Sequence, residues 1–285
     1  MIFKTIVAII IIMGIFFLCV GLIDGNRFKV VEETFQLEKI SKDFRFVLLS
    51  DLHNKVYGKK NEKVIEEIRK TNPDFIVIAG DLITSHVHEE TTTAVELLNE
   101  LVKICPVYYG MGNHETKMRV RPDEFGDKYE KYMTEVAQTK TKILRNEGIM
   151  LPKYHVKITG LELERYYFSK FKKRELSQEK LEEYLGKADN EYCNLLIAHH
   201  PDYFEDYVKW GADLVLSGHV HGGIMRLPVL GGVISPSYEL FPKYDGGIFK
   251  SGKAIMLLGR GMGAHTIPLR FFNPAELYVV NCLHK

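Results

Sequence analysis

Apolar and polar positions alternate along this chain so that most predicted elements end on a polar cluster. The first feature is an apolar run over residues 5–23, closed by Asp24, Gly25, Asn26 and Arg27. As a helix with ~1.5 Å of rise per residue it comes close to the ~30 Å of a bilayer's hydrocarbon core, which predicts a membrane anchor over residues 1–26. A cleaved signal peptide is the alternative. Its apolar core would be shorter and would end at small residues, whereas this run carries Phe16, Phe17 and Leu18. Residues 28–37 alternate well enough for a strand (Phe28, Val30, Phe35, Leu37) and meet a polar break at 41–43, so residues 27–43 read as a leading strand and linker.

Residues 44–49 form a continuous apolar run ending at Ser50-Asp51, the pattern of a strand buried on both faces. Residues 61–70 carry Val64, Ile65 and Ile68 at helical spacing and stop at Asn72-Pro73; residues 74–79 then run apolar into Gly80-Asp81. A helix over 89–103 and a short strand to Tyr109 deliver residues 110–115, among them Asn113, His114 and Glu115. In the second half, residues 195–198 run into His199, and residues 214–216 into Ser217-Gly218-His219-Val220-His221. Polar residues just past the carboxyl ends of strands are where open α/β sheets gather ligands. Between the halves, residues 125–146 read as a charged helix. Residues 165–185 mix Tyr166, Tyr167, Phe168 and Phe171 with Lys170, Lys172, Lys173 and Arg174, before a helix capped near Ser177. This segment reads either as a solvated basic face or as a cap over an anionic substrate.

Composition narrows the function classes. The 38 basic and 37 acidic residues among 285 leave a formal charge of +1, so neither a nucleic-acid footprint nor an acidic tail is indicated. The four cysteines, Cys19, Cys105, Cys193 and Cys282, show no Cys-x-x-Cys spacing and predict free thiols. No Gly-x-Gly-x-x-Gly or Walker sequence supports a kinase or ATPase; Gly222-Gly223 and Gly231-Gly232 read as tight backbone and a hairpin turn. Lys4 precedes the anchor while Arg27, Lys29, Lys39 and Lys42 follow it, which leaves the side of the membrane open.

Asp51-x-His53, Gly80-Asp81, Gly112-Asn113-His114-Glu115, His199 and Gly218-His219-x-His221 together resemble the calcineurin-like metallophosphoesterase family. Each motif alone is weak, but five in order after predicted strands are specific. Residues 48–53, 217–223 with Pro228, and 259–263 followed by Pro268-Leu269-Arg270 are similar to the membrane-associated bacterial subgroup that includes a lipid A precursor (UDP-2,3-diacylglucosamine) pyrophosphatase. The resemblance implies an α/β fold over residues 44–285: a two-sheet sandwich flanked by helices. It implies two divalent ions, one on Asp51, His53 and His221, the other on Asn113, His199 and His219, with Asp81 bridging both. His114 would act as phosphate stabiliser and general acid, and Glu115 would either orient it or sit on a surface loop. Arg260 and His265 in the glycine-rich tail are weaker candidates for substrate contact, Arg260 having an interior salt bridge as its ordinary role.

A nitrogen and oxygen donor set without thiolate suits Mn²⁺, Fe²⁺ or Zn²⁺. Such a pair of ions lowers the pKa of a bridging water and clamps the phosphate oxygens. His86, His88, His155 and His284 match no motif, and His200, next to His199, is expected on the opposite face of its strand. The expected activity is hydrolysis of a phosphate ester or phosphoanhydride on a phosphorylated small molecule or membrane-lipid precursor. Two alternatives stand beside it: a catalytically silent membrane-anchored scaffold or binding protein, and a membrane-associated protein phosphatase. Because the motifs begin at Asp51, deletion of residues 1–26 is expected to leave an active hydrolase.

Overall fold

The computed structural model describes every residue except Met1, 170–172, Ile224, 228–229, 236–238 and 265–268. Lys170, Phe171, Lys172, Pro228, His265 and Pro268 therefore lie outside the described residues. Helix α1 (Ile2–Gly25) is apolar on all sides and about 36 Å long at 1.5 Å per residue. Among the described residues it is the one helix long and apolar enough to cross a membrane. Its side chains are largely exposed except at the last turn, where Gly21, Asp24 and Gly25 are buried.

The first half continues with β1 (Phe28–Leu37), β2 (Phe44–Leu49), α2 (Glu62–Thr71), β3 (Phe75–Ala79), α3 (Thr92–Leu101) and β4 (Val107–Gly110). After α4 (Asn113–Val120) and the single turn α5 (Pro122–Phe125) come α6 (Lys128–Gln138), β5 (Lys142–Leu144), β6 (Glu147–Leu151) and β7 (Val156–Leu161). The second half holds α7 (Gln178–Leu185), β8 (Cys193–Ala198), α8 (Phe204–Trp210), β9 (Leu214–Ser217) and the hairpin β10 (Met225–Leu227) with β11 (Gly231–Ile234). Strands β12 (Gly247–Ser251), β13 (Ala254–Leu258) and β14 (Ala275–His284) complete the chain.

Two six-stranded sheets, ordered β1-β14-β2-β3-β4-β5 and β12-β13-β9-β8-β7-β6, face each other. Alternation along the strands explains the layering. Phe46 and Leu48 of β2 point into the layer between the sheets with Phe75, Ile158, Leu195, Leu216 and Leu257. Val47 and Leu49, one residue out of phase, join Val64 and Ile68 of α2 and Leu97 and Leu101 of α3 on the outer face. Beyond the second sheet, Leu196, Val215 and Met256 meet Phe204, Tyr207 and Trp210 of α8. In the central layer Phe46 and Phe75 stack with centroids 5.3 Å apart, a contact worth about 0.5–1.5 kcal/mol beyond its buried area.

The fold is the expected two-sheet α/β sandwich flanked by helices. One element is corrected: residues 125–146 are not a single helix. Helix α6 ends at Gln138, Lys140 takes a left-handed φ of 69°, and β5 adds to the first sheet beside β4. Gly231-Gly232 likewise belong to the start of β11, with Gly232 N–H bonded to the Asp245 carboxylate at 2.6 Å. All four cysteines are free; Cys193 and Cys282 are buried, Cys105 is half-buried and Cys19 is exposed on α1.

Candidate metal centre

The ends of β2, β3, β4, β8 and β9 converge on one point between the two sheets. Asp51 and Asp81 are buried, at 0% and 1% exposure, although each carries a carboxylate that water would solvate. Five of the seven residues expected as ligands, Asp51, His53, Asp81, His219 and His221, adopt left-handed backbone with φ between 49° and 75°. That conformation costs a non-glycine residue on the order of 1–3 kcal/mol and persists where a site over-determines it. Backbone bonds lock these turns together: Asp51 N–H donates to the Gly80 carbonyl (3.0 Å), and His53 N–H to that of Asp81 (3.1 Å). Gly112 closes the approach from β4, since a Cβ there would lie 2.1 Å from Asp81 Oδ1.

Asp81 stands at the centre. Its Oδ2 lies 3.2 Å from His199 Nε2, 3.8 Å from His53 Nε2 and 3.9 Å from His114 Nε2. His53 and His221 aim their Nε2 atoms at each other across 3.0 Å, and His221 Nε2 is 3.4 Å from Asp51 Oδ1. Asn113 Oδ1 lies 3.2 Å from His199 Nε2. Donor atoms of Asp51, His53 and His221 gather within 4.8 Å of one another, as do those of Asp81, His199 and His219. Asp81 also lies within that distance of His53 and His114.

These residues fit a pair of cations. His199 Nδ1 donates to the Ala79 carbonyl at 2.6 Å, which leaves the lone pair of Nε2 facing the centre, the arrangement metal-binding imidazoles adopt. Asp51 Oδ2 is buried with no hydrogen-bond partner among the described residues. Burial pushes the Asp51 carboxyl up to about 6. For Asp81 burial works in the same direction, yet the imidazoles of His199, His114 and His53 hold it well below the usual carboxylate range. Burial opposes charge on His199, but Asp81 and Asp51 hold its imidazole up to about 10.

Glu115 differs from both roles expected for it. It is fully buried, and instead of touching His114 it accepts from the N–H groups of Asp81, Leu82 and Gly112, each at 3.0 Å, and from the Tyr109 hydroxyl at 2.6 Å. One carboxylate thus pins the loops after β3 and β4 to each other. His114 is oriented by Ser85, whose backbone N–H donates to Nδ1 at 2.7 Å, so the ring proton sits on Nε2, toward Asp81. Burial pushes the His114 imidazole below its ordinary value. His200 is not turned away from the site: its ring centroid lies 4.8 Å from that of His219 and 4.9 Å from that of Phe168.

A cleft of about 980 Å³ opens beside His53, Asn113 and His114. Its other walls include Ser85, His86, Lys117, Arg165, Tyr166 and Phe168. By sequence His86 matches no motif, and Ser85 and Lys117 were not singled out, although they lie only four and two residues beyond Asp81 and Glu115. Arg260 is bonded to Glu276 at 2.9 Å.

The family model for calcineurin-like phosphoesterases matches residues 44–223. An uncharacterized metallophosphoesterase of Helicobacter pylori is 28% identical over 264 residues, covering 91% of this chain and 65% of the relative. The metallophosphoesterase YkuE of Bacillus subtilis is 28% identical over 244 residues, covering 83% of this chain and 78% of the relative. A zebrafish transmembrane protein with a metallophosphoesterase domain is 26% identical, covering 87% of this chain and 56% of the relative. This chain spans just under two thirds of the length of its Helicobacter and Campylobacter relatives. Among solved structures, a dimetal phosphatase from Danio rerio aligns with a TM-score of 0.41 at 12% identity, covering 79% of this chain and 89% of that one.

Proposed function

The chain belongs to the calcineurin-like phosphoesterase family, and from that premise we propose that it is a dinuclear metallophosphoesterase held at a membrane by α1. The observation that carries this reading is the position of Asp81 Oδ2, which lies within 3.9 Å of three imidazole Nε2 atoms delivered by three separate loops. Asp51, His53 and His221 would hold one divalent ion and Asn113, His199 and His219 the other, with Asp81 shared between them. When bound, such ions activate water and neutralise phosphate oxygens. A silent scaffold has no use for a buried acidic pair on strained backbone, with every position of the donor set filled.

In this proposal the chain's own residues do the remaining work. Ser85 keeps the His114 proton on Nε2, from where His114 donates a hydrogen bond to the oxygen that leaves phosphorus and stabilises its developing charge, help typically worth ~10²- to 10³-fold. Arg165 at the cleft favours an anionic substrate, Lys117 there being paired with Glu124 at 2.8 Å, while Tyr166 and Phe168 give it an apolar wall. That mixture suits a phosphate ester or pyrophosphate carrying an apolar or ring-bearing group. A membrane-lipid precursor is the favoured class, because α1 would raise the local concentration of any substrate in the same bilayer. The test is a panel offered to the full chain in detergent: a lipid pyrophosphate, an aryl phosphodiester, a cyclic nucleotide and a phosphopeptide. Turnover of the first two that disappears on chelation supports the reading. Turnover of the phosphopeptide alone assigns a protein phosphatase, and none on any member assigns a scaffold.

A further inference from the structure

We infer that the last turn of α1 is a working part of the metal centre, with Asp24 and Asn273 acting as positioning residues for His221. This rests on the proposed role of His221 as a ligand. Asp24 follows a run of apolar residues and would be expected in water at the end of an anchor; instead its carboxylate is buried. Oδ1 accepts from Arg27 Nε and Nη2 at 2.9 and 2.7 Å, and Oδ2 accepts from the backbone N–H of Asn273 at 3.1 Å. The Asn273 side chain, itself 1% exposed, donates through Nδ2 to the carbonyls of His221 (2.7 Å) and Gly223 (3.0 Å). Gly222 sits under that amide so closely that a Cβ would lie 2.5 Å from Asn273 Oδ1.

A second line runs in parallel. The N–H of Arg270 donates to the Gly21 carbonyl of α1 at 3.2 Å, and its buried guanidinium donates to the carbonyls of His221 (3.2 Å) and Arg260 (2.5 Å). Phe271 lays its ring over Gly21, and Phe272 lies 6.1 Å from Phe17 between ring centroids. The helix end and the His221 loop therefore share two hydrogen-bonded routes, each only one residue long. His221 is one of the residues in left-handed backbone, so its loop needs outside support to keep Nε2 aimed at His53. The anchor is a splint for one side of the site, and not merely a tether.

The test uses the full chain in detergent micelles and measures the affinity of each of two Mn²⁺ ions by competition with a chelator. Asn273→Ala and Asp24→Ala should weaken one ion by about 10- to 100-fold, the usual cost of removing support behind a ligand, and leave the other near its original affinity. Asp24→Asn, which keeps an acceptor for the Asn273 N–H, should recover most of the loss. Val280→Ala, in the layer between the sheets, should lower the melting temperature and leave both affinities unchanged. The inference is overturned if both ions keep full affinity in the alanine variants, or if both weaken together. A wild-type chain that binds no second ion would instead overturn the dinuclear reading beneath it.

Discussion

The two sides of the metal centre rest on different parts of the chain. On the first-sheet side, Asp51, Asp81 and Asn113 stand on loops stitched together by five hydrogen bonds to Glu115, all within the first half of the sequence. On the second-sheet side, the His221 loop is tied through Asn273 to Asp24, so its support comes from opposite ends of the chain. The first side is self-contained within the sandwich. The second borrows its rigidity from the end of α1. A site with this asymmetry should fail in two distinguishable ways: loss of the Glu115 side disturbs fold and both ions, whereas loss of the Asp24 side loosens one ion in a folded chain.

The largest effect is expected where the two sides meet. Asp81→Asn should abolish hydrolysis and weaken both ions, because its carboxylate faces donors from each sheet; elemental analysis and turnover on the same preparation check it. His114→Ala should spare the ions and slow an alkyl phosphate by ~10²- to 10³-fold, with a smaller loss for an aryl phosphate whose phenolate needs less stabilisation. Equal losses for both would limit His114 to stabilising phosphate. Glu115→Gln should act mainly on stability. It replaces a carboxylate facing five donors, and each buried donor left unsatisfied costs about 1–3 kcal/mol, so thermal melting of the metal-free chain should drop and both affinities fall together. Deleting residues 1–26 should have the mildest consequence: a folded hydrolase with one weakened ion, slow at limiting Mn²⁺ and restored by excess. Unchanged metal dependence would mean that the helix end does not reach the site.

Much of this was legible because each site strand is a continuous apolar run ending in a short polar motif, and strand ends gather in space. The convergence of Asp51, Asp81, Asn113, His199 and His219 at strand ends follows from that pattern, while the sandwich and the division of these residues between two ions were implied by the family resemblance. What supports them does not. Glu115 stands beside His114 in the chain, and adjacency suggested an orienting or surface role; the first turn of α4 rotates it inward, where backbone N–H groups, invisible to any side-chain pattern, are its partners. Asp24 and Asn273 are 249 residues apart, and no local periodicity relates them. The charged stretch after Phe125 kept a helical composition past Gln138, but the left-handed turn at Lys140 and pairing with β4 overrode it.

The most direct test of the account is a reconstitution of the metal-free full chain with Mn²⁺, following bound ions by elemental analysis and hydrolysis of bis(4-nitrophenyl) phosphate in the same samples. A dinuclear centre predicts saturation at two ions per chain, with activity rising as the second ion binds. Saturation at one ion, or full activity in the chain stripped of metal, would contradict it.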